Sequence, residues 1–470
     1  MFKSTLHAVL GLVILTFCLW CFAPAPSFSA QTTDEIALPK IESKVLDNGM
    51  KVMVIERHDL PIVAFRLILK TGAAYDPKEK AGLGNLTAGL LTKGTSSRTA
   101  PQIAGEIDFV GGGLGAGAGL DVTYVTCRVM SKYFDTGLDL LSDIVLNPTF
   151  TEDEVKRLRR QTLAGIIQKK DDPNTVLEEK FDYFLFVDHP YAQASSGDEK
   201  TVAAITREDI VDFHKTYYVP NNVILAVVGD VKAGEVLQKV EAKFKNWQSK
   251  PLPDVKFASP PKIKGYQMLL VDKPDLTQAY IKLGHLGLAK KDPDEFPCKE
   301  MNYILGGGGF ASRLVAKVRV EKGLTYGVDS QFDLNRDPGA FAVTMSTQTD
   351  SALAAIAAIL DELKRIREAE VTPKELNDTK SFYTGYYPLR FETAEQVATQ
   401  VLDTEIYGTG LDYIKNYRKN IKQVTPAEVL QAARKHIDPD NLKIVVVGNA
   451  EKLKAGLEKI GPVKVVSFRE

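Results

Sequence analysis

Histidine is the side chain that most often binds catalytic zinc, and this chain of 470 residues contains only six. A zinc helix needs two histidines on one face, with a carboxylate beside them that can take a proton from bound water. No histidine here has another three to five residues away; the six are His7, His58, His189, His214, His285 and His436. The chain therefore cannot build a zinc site within one helix. It also has no G-x-S-x-G elbow for a nucleophilic serine.

Two glycine-rich runs look like phosphate loops but lack the residues that phosphate binding needs. The run at 111–119, GGGLGAGAG, fits no G-x-G-x-x-G register, and no Lys-Ser/Thr pair follows it. We expect a flexible loop there, leading into a strand at 122–130. In the run at 306–309, glycine is expected to permit a sharp turn or the close approach of another backbone.

The composition excludes several classes of function. Lys plus Arg is 59 and Asp plus Glu is 60, so the net charge of −1 gives no basic surface for nucleic acid. Hydrophobic residues at 44% and charged residues at 25% are typical of a folded globular protein. Cys127 and Cys298 lie in apolar segments, and we expect buried free thiols rather than a disulfide.

The first thirty residues have the layout of a secretory signal peptide. Lys3 is followed by an apolar run at 8–22 and by a small, proline-rich segment at 23–30. We expect cleavage near residues 25–30 and export of the protein, to the periplasm. The alternative is a membrane anchor formed by residues 8–22, but that run is shorter than the about 20 residues that span a bilayer.

The remaining sequence contains an internal repeat. Segments 205–230 and 424–449 share their spacing: Thr206 and Thr425 are each followed by a proline 14 residues later and by a glycine nine residues after that. Both segments predict a threonine-capped helix, a Pro-Asn or Pro-Asp turn and a buried strand. A matching pair of segments starts each half, with Asp-Leu at 59–60 and 275–276.

The repeat predicts two homologous lobes, over residues 41–250 and 264–470. Between them, residues 251–263 form a predicted linker, because prolines there disfavour both helix and central strand. Short alternating strands and long helices occur within each lobe without regular alternation. This organisation favours an α+β fold, with an antiparallel-rich sheet and packed helices in each lobe, over a doubly wound α/β fold.

One segment resembles the zinc helix of the pitrilysin/insulinase metallopeptidases. The family pattern is G-x-x-H-x-x-E-H-x-x-x-x-G-T, and residues 82–95 read GLGNLTAGLLTKGT. The glycines and the threonine match, whereas the two histidines and the glutamate do not. The residues at those three positions are Asn85, Ala88 and Gly89.

The distal zinc glutamate of the family is also missing. The matching helix, residues 155–170, contains no Asp or Glu, and the corresponding positions are Leu158 and Gly165. An asparagine amide is a poor zinc ligand, and alanine and glycine offer no ligand atom. We therefore expect no metal cofactor in this chain.

The resemblance covers nearly all of the mature chain and implies a LuxS/pitrilysin-type fold. Segments 189–231, 303–328 and 388–393 match the family, and the second carries Arg313 and Tyr326, thirteen residues apart. The resemblance implies that this pair binds the substrate backbone and stabilises the oxyanion, for which both side chains are suitable donors. Without it, a solvated helix arginine and a half-buried strand tyrosine fit the spacing equally well.

Some family members are heterodimers, in which one chain holds zinc and the other holds the Arg/Tyr pair. The resemblance therefore implies a non-catalytic subunit of an exported zinc endopeptidase, inactive alone, with zinc in a partner chain of similar length. It further implies short or unfolded peptide substrates that add as a strand to a sheet edge. The alternative is a catalytically dead pseudopeptidase that serves as a structural or peptide-binding module.

Overall fold

The computed structural model describes residue 36 and residues 38–469. The predicted signal peptide at residues 1–30 lies outside this described part of the chain. Within it, no helix has both the length and the apolar composition needed to cross a bilayer. Cys127 and Cys298 are buried free thiols, as predicted.

Two six-stranded sheets organise the described residues, which confirms the predicted α+β class with two lobes. The strands of the first sheet are β1 Ile41–Val45, β2 Lys51–Glu56, β3 Ile62–Leu69, β4 Gly113–Ala118, β5 Thr123–Met130 and β6 Val223–Gly229. Their order is β1-β2-β6-β3-β5-β4, and the β2–β6 pair is parallel while the other pairs are antiparallel. Every residue of β6 is buried, as expected for a central strand covered on both faces.

The second sheet repeats this arrangement. Its strands are β7 Tyr266–Asp272, β8 Gln278–Leu286, β9 Val328–Leu334, β10 Pro338–Gln348, β11 Leu442–Gly448 and β12 Val463–Ser467. Their order is β12-β7-β11-β8-β10-β9, and the parallel β7–β11 pair corresponds to β2–β6. The first edge strand differs, because β12 comes from the end of the chain and pairs parallel with β7.

The strand register reproduces the internal repeat residue by residue. Val52 lies opposite Leu225 in the first sheet, and Met268 lies opposite Ile444 in the second. These equivalent residues are 216 and 219 positions apart, which are the spacings of the two repeated sequence segments. The two lobes are therefore homologous, as predicted.

Helices cover both sheets. Those of the first half are α1 Leu83–Leu90, α2 Ala100–Phe109, α3 Phe134–Leu146, α4 Glu152–Lys169, α5 Pro173–Phe186, α6 Glu199–Ala204, α7 Arg207–Tyr217 and α8 Ala233–Phe244. Those of the second half are α9 Glu295–Asn302, α10 Ala352–Arg365, α11 Pro373–Tyr386, α12 Ala394–Ile406, α13 Leu411–Gln423, α14 Pro426–His436 and α15 Ala450–Leu457. Thr206 and Thr425 begin α7 and α14 with capping boxes, which confirms both predicted caps.

Each sheet has one face covered by its own half of the chain and the other face covered by a helix from the opposite half. Helix α5 belongs to the first half but packs on β8 and β11. Helix α12 belongs to the second half but packs on β3 and β6. The two lobes are therefore interlocked, because neither sheet can bury both faces with its own helices alone.

The glycine-rich run at 111–119 is not the flexible loop that we predicted, since residues 113–118 form the edge strand β4. The backbone of β4 pairs with β5, which needs no side chains on the edge. The Tyr124 ring of β5 lies across Gly117, where a Cβ atom would come within 2.5 Å of the tyrosine oxygen. An aromatic ring over an edge glycine replaces the missing side-chain packing.

Replacing Phe181 on α5 by alanine should destabilise the protein by about 3–5 kcal/mol, since a fully buried ring is lost from the contact with the second sheet. Tyr183→Ala is the matched control, because Tyr183 lies on the same helix but is 65% exposed. The control should change the free energy of unfolding by less than about 0.5 kcal/mol. Urea unfolding measures both, and equal effects would contradict the interlocked packing.

Candidate functional site

Helix α1, which carries the degenerate zinc motif, is held at its first turn by a half-buried carboxylate. Gly82 precedes the helix with φ +95°, a left-handed conformation that glycine adopts without strain. The carboxylate of Asp76 accepts hydrogen bonds from the backbone nitrogens of Gly82 (2.9 Å) and Gly84 (2.8 Å). Burial raises the pKa of Asp76 to about 7, and these hydrogen bonds oppose the rise. The helix backbone is thus positioned without any metal ligand.

A cleft of about 240 Å³ lies between α1 and α4 and contains most of the positions that the family resemblance assigned to metal chemistry. Asn85 and Gly89 line it from α1, and Leu158 and Gly165 line it from α4. Ala88 is fully buried and does not line the cleft. The tertiary structure therefore brings two residues of α1 together with two residues of α4 that lie about 70 residues further along the chain.

The side chains of this cleft do not fit a zinc ion. Zinc is bound in proteins by Cys, His, Asp and Glu, and none of these lines the cleft, whose lining lies wholly within the described residues. Lys169 adds a positive charge. Leu158 also fills the space beside Gly89, where a Cβ atom would come within 3.1 Å of the leucine Cδ2. The lining residues are Gly82, Asn85, Leu86, Gly89, Leu158, Thr162, Gly165, Ile166, Lys169 and Ser196.

Arg313 is held in a fixed orientation by Glu375. Its Nε and Nη2 donate to the carboxylate oxygens Oε1 (2.7 Å) and Oε2 (2.9 Å) of Glu375. Thr372 donates to the same Oε2 from its backbone nitrogen (2.8 Å) and its hydroxyl (2.9 Å), so the carboxylate also closes the capping box of α11. Burial alone would raise the pKa of Glu375, but these hydrogen bonds lower it to about 2. Nη1 of Arg313 has no hydrogen-bond partner among the described residues.

Tyr326 is 90% exposed in the loop before β9, and no hydrogen bond joins it to Arg313 in the described part of the chain. Arg313 itself is only 14% exposed. Nearby in sequence, Phe310 is 75% exposed, and the guanidinium of Arg319 lies 4.5 Å from the centre of its ring. Arg313 is therefore not a solvated helix arginine, because it is ion-paired. Tyr326 is not a half-buried strand tyrosine, because it is exposed in a loop.

The segment that carries Arg313 and Tyr326 packs closely on β9. A Cβ atom at Gly306 would come within 2.6 Å of the backbone nitrogen of Ser330, so glycine permits the predicted close approach of another backbone. Two π-helical segments occur here, Tyr303–Gly307 and Val315–Glu321. Such segments are rare and are found frequently at functional sites.

Sequence reasoning missed Glu375 as the partner of Arg313. The capping box Thr372-Pro-Lys-Glu375 is visible in the sequence as a helix start, but its arginine partner is 62 residues away. No local pattern connects the two residues. The link exists only because α11 packs beside the segment that follows α9.

One group outside the cleft has ligand types that metals use, namely Asp292, Asp294 and His436, whose ligand atoms lie within 4.8 Å of one another. Asp294 already accepts from Lys435 Nζ (2.6 Å) and contacts His436 Nε2 (2.8 Å). These side chains hold the pKa of Asp294 below its usual value. Lys435 and His436 therefore already bind the carboxylate of Asp294, which a metal ion would need as a ligand.

Two family models match the chain in succession. Residues 51–198 match the model described as Insulinase (Peptidase family M16), and residues 204–383 match the model described as Peptidase M16 inactive domain. An uncharacterized zinc protease of Rickettsia bellii (strain RML369-C) is 28% identical over 386 residues, which are 82% of this chain and 89% of that protein. The non-peptidase homolog YmxG of Helicobacter pylori (strain ATCC 700392 / 26695) is 26% identical over 415 residues, 87% of this chain and 94% of that protein.

Solved structures have the same fold. The crystal structure of a peptidase M16 inactive domain from Pseudomonas fluorescens matches with a TM-score of 0.82 and 28% identity, over 87% of this chain and 98% of that chain. The structure of a protease from Helicobacter pylori matches with a TM-score of 0.82 over 88% of this chain and 100% of that chain. The latter is 22% identical and is compared for its fold alone.

The fold and the cleft together define a two-lobed protein of metallopeptidase architecture without metal ligands at the family's metal position. The chain belongs to the M16 family of peptidases. Within that family it is a pseudopeptidase-like member, since it matches the inactive-domain model and resembles a non-peptidase homolog and an inactive-domain structure.

We expect the purified chain to contain no stoichiometric zinc, because the cleft offers no ligand atoms that zinc prefers. Introducing Asn85→His, Gly89→His and Gly165→Glu together with Leu158→Ala should create a zinc site. The same three ligand substitutions with Leu158 retained should bind less zinc, since that side chain occupies the space beside position 89. Metal analysis after gel filtration measures all three proteins, and stoichiometric zinc in the unmodified chain would contradict this account.

Glu375→Gln should destabilise the protein at pH 7 by about 1–3 kcal/mol, because it removes the charged partner of Arg313. The pKa of Glu375 falls on folding from its ordinary value of 4.5 to about 2. The carboxylate therefore contributes stability above about pH 4.5, and this contribution is lost as the pH falls towards 2. The difference between the wild type and the variant should shrink over that range in thermal unfolding.

Glu428→Gln is the matched control for this experiment. Glu428 closes the same kind of capping box, with Thr425, but has no arginine partner among the residues that the structure describes. Glutamine also serves in a capping box, so the control should be close to neutral. Equal destabilisation by both substitutions would show that capping, and not the arginine, accounts for the effect of Glu375.

Proposed function

We propose that this chain is a non-catalytic subunit of an exported zinc-dependent endopeptidase. In this proposal it binds peptide substrates and contributes Arg313 and Tyr326 to the active site of a zinc-bearing partner chain of similar length. The observation that carries the proposal is a difference between the two regions that the family resemblance assigns to the active site. The metal cleft has no ligands, whereas the segment with the predicted substrate-binding pair is present and exposes Tyr326 almost completely.

Loss of the metal removes the agent that activates water. A bound zinc ion lowers the pKa of water from about 15.7 to about 7 and so makes hydroxide available at neutral pH. Asn85 and Thr162 can hold a water molecule in the cleft only by hydrogen bonds, which do not produce such a change. The proposal therefore assigns the water, the zinc and the general base to the partner.

Arg313 and Tyr326 have the donor groups that a peptide carbonyl needs as it becomes an oxyanion. Glu375 orients the guanidinium and leaves Nη1 without a partner among the described residues. The phenol of Tyr326 is free to approach a second molecule, because its loop lies at the surface. Both groups can therefore contact a substrate without first breaking the Arg313–Glu375 ion pair.

Short or unfolded peptides are the proposed substrates. Strand β4 is the last strand of its sheet, so one side of its backbone is unpaired within that sheet. Extended peptides bind such edges through backbone hydrogen bonds, and the glycines of β4 leave that edge without bulky side chains. Export to the periplasm is part of the proposal and follows from the signal-peptide layout of residues 1–30.

The second candidate function is a pseudopeptidase that acts as a structural or peptide-binding module. The Arg313–Glu375 ion pair favours this candidate. Arg313 is mostly buried and makes a bidentate ion pair with the capping residue of α11, and such a pair can also serve to hold a segment in place. In that case Arg313 contributes to stability and not to a partner's reaction. The name of the H. pylori relative, a non-peptidase homolog, is consistent with either candidate.

The test is reconstitution with an H-x-x-E-H chain of similar length, such as one encoded by an adjacent reading frame. The mixture should cleave an unfolded fluorogenic peptide, whereas each chain alone should be much less active. Arg313→Ala and Tyr326→Phe should each lower kcat, by about 10²- to 10³-fold if the lost donor serves the oxyanion. Zinc should be found with the partner chain.

Arg365→Ala and Tyr183→Phe are the matched controls, since both side chains are exposed and lie outside the segment at 303–327. Neither control should change kcat. If the complex forms and cleaves peptide equally well with both site variants, the role of Arg313 and Tyr326 is refuted. Peptide binding by the isolated chain without any effect on a partner would then favour the module.

A further inference from the structure

A second cavity, of about 150 Å³, lies in the second lobe between α9, β9 and α11. It shares no lining residue with the cleft at Asn85, and it contains neither Arg313 nor Tyr326. A single water needs about 10–15 Å³ of such space, so the cavity has room for several waters or one small ligand. Its lining includes Leu288, Glu295, Lys299, Asn302, Phe332 and Leu334.

Glu295 is the buried carboxylate of this cavity, and only one of its oxygens is in use. The side chain is 4% exposed. Its Oε1 accepts from Lys290 Nζ (2.7 Å), Lys299 Nζ (3.3 Å) and the hydroxyl of Tyr413 (2.6 Å). Its Oε2 accepts no hydrogen bond from the described residues. Because this oxygen is not completely closed off from solvent, a donor in the cavity can reach it.

Lys299 is the complementary group. Its ammonium has three N–H donors but makes one hydrogen bond, to the oxygen of Glu295 that it shares with two other donors. Burial lowers the pKa of Lys299, and Glu295 opposes this shift; the ammonium also lies 4.9 Å from the centre of the Tyr417 ring. The other charges that act on this cluster are Arg390 and Asp403, which have opposite signs. Lys290 and Lys299 together carry one more charge than Glu295 neutralises, so the net charge beside the cavity is positive.

The remaining wall is largely apolar but also contains Gln331 and Tyr383. Leu288, Phe332 and Leu334 line it opposite the charged groups. Asn302 is held in place by Ser330, since its amide donates to the backbone oxygen of Ser330 (2.9 Å) and accepts from the Ser330 hydroxyl (2.8 Å). A ligand for this cavity must therefore combine one anionic group, one neighbouring N–H donor and a small apolar part.

We propose that this cavity binds a single apolar α-amino acid, either free or as the C-terminal residue of a peptide. Lys299 Nζ binds its α-carboxylate, Glu295 Oε2 accepts from its α-ammonium or amide N–H, and Leu288, Phe332 and Leu334 pack on its side chain. Both sources of ligand share this chemistry. The inference does not rest on the proposed partnership, because it concerns binding by this chain alone.

Titration calorimetry on the purified full chain tests the proposal with three probes. L-Leucine represents the free amino acid, N-acetyl-L-leucine represents a peptide C-terminus, and L-leucinamide lacks the carboxylate. Binding of either of the first two supports the proposal and identifies the source. Leucinamide should bind about tenfold more weakly or worse, because the charged hydrogen bond to Lys299 is lost. No binding of any probe, or equal binding of leucinamide, overturns the proposal.

Two variants and a control locate the site. Lys299→Met should weaken binding by about tenfold or more, and Leu334→Phe should do the same by filling the cavity without changing its charges. Lys443→Met is the control, since Lys443 is also buried but contacts Gln267 and the Phe184 ring outside the cavity. If Lys299→Met does not fold, as judged by circular dichroism, the binding affinity of Leu334→Phe alone tests the site. Unchanged binding in Leu334→Phe or in folded Lys299→Met overturns the proposal.

Discussion

Apolar surface on both faces of each sheet is the constraint on which the rest of this structure depends. The central strands β6 and β11 are buried along their whole length, so helices must cover them from two sides. Each lobe supplies one covering layer to its own sheet, and α5 and α12 supply the other layer across the lobe boundary. The burial of apolar surface therefore joins the two repeats into one unit, and it places the cleft at α1 and α4 on a rigid frame.

This packing explains how the cleft between α1 and α4 can keep its shape without a bound metal ion. Helix α1 is fixed by the hydrogen bonds of Asp76 and by its packing on α4, α7 and β4. Leu158 replaces part of the lost interactions with an apolar contact beside Gly89. A structural zinc site would collapse without its ion, but a site built on independently stable helices does not need it to fold.

The fold followed from local patterns to a large extent. The capping threonines at 206 and 425, the repeat spacing and the runs of branched residues are all local, and each predicted its element correctly. The run at 111–119 was assigned wrongly, because glycine disfavours strands in general and only the ring of Tyr124 makes an edge strand of glycines stable there. Local propensity does not contain that cross-strand contact.

For the candidate sites, the sequence by itself determined which chemistry is absent. Residues 85, 88, 89, 158 and 165, which the family resemblance assigns to metal chemistry, include no His, Cys, Asp or Glu, and a ligand atom that is not in the sequence cannot be supplied by folding. Only the tertiary structure decided what the remaining side chains do. It paired Arg313 with Glu375, left Tyr326 exposed and enclosed Glu295 and Lys299 in a cavity. Such contacts join residues distant in sequence, and they depend on how helices pack on the sheets, which no local pattern specifies.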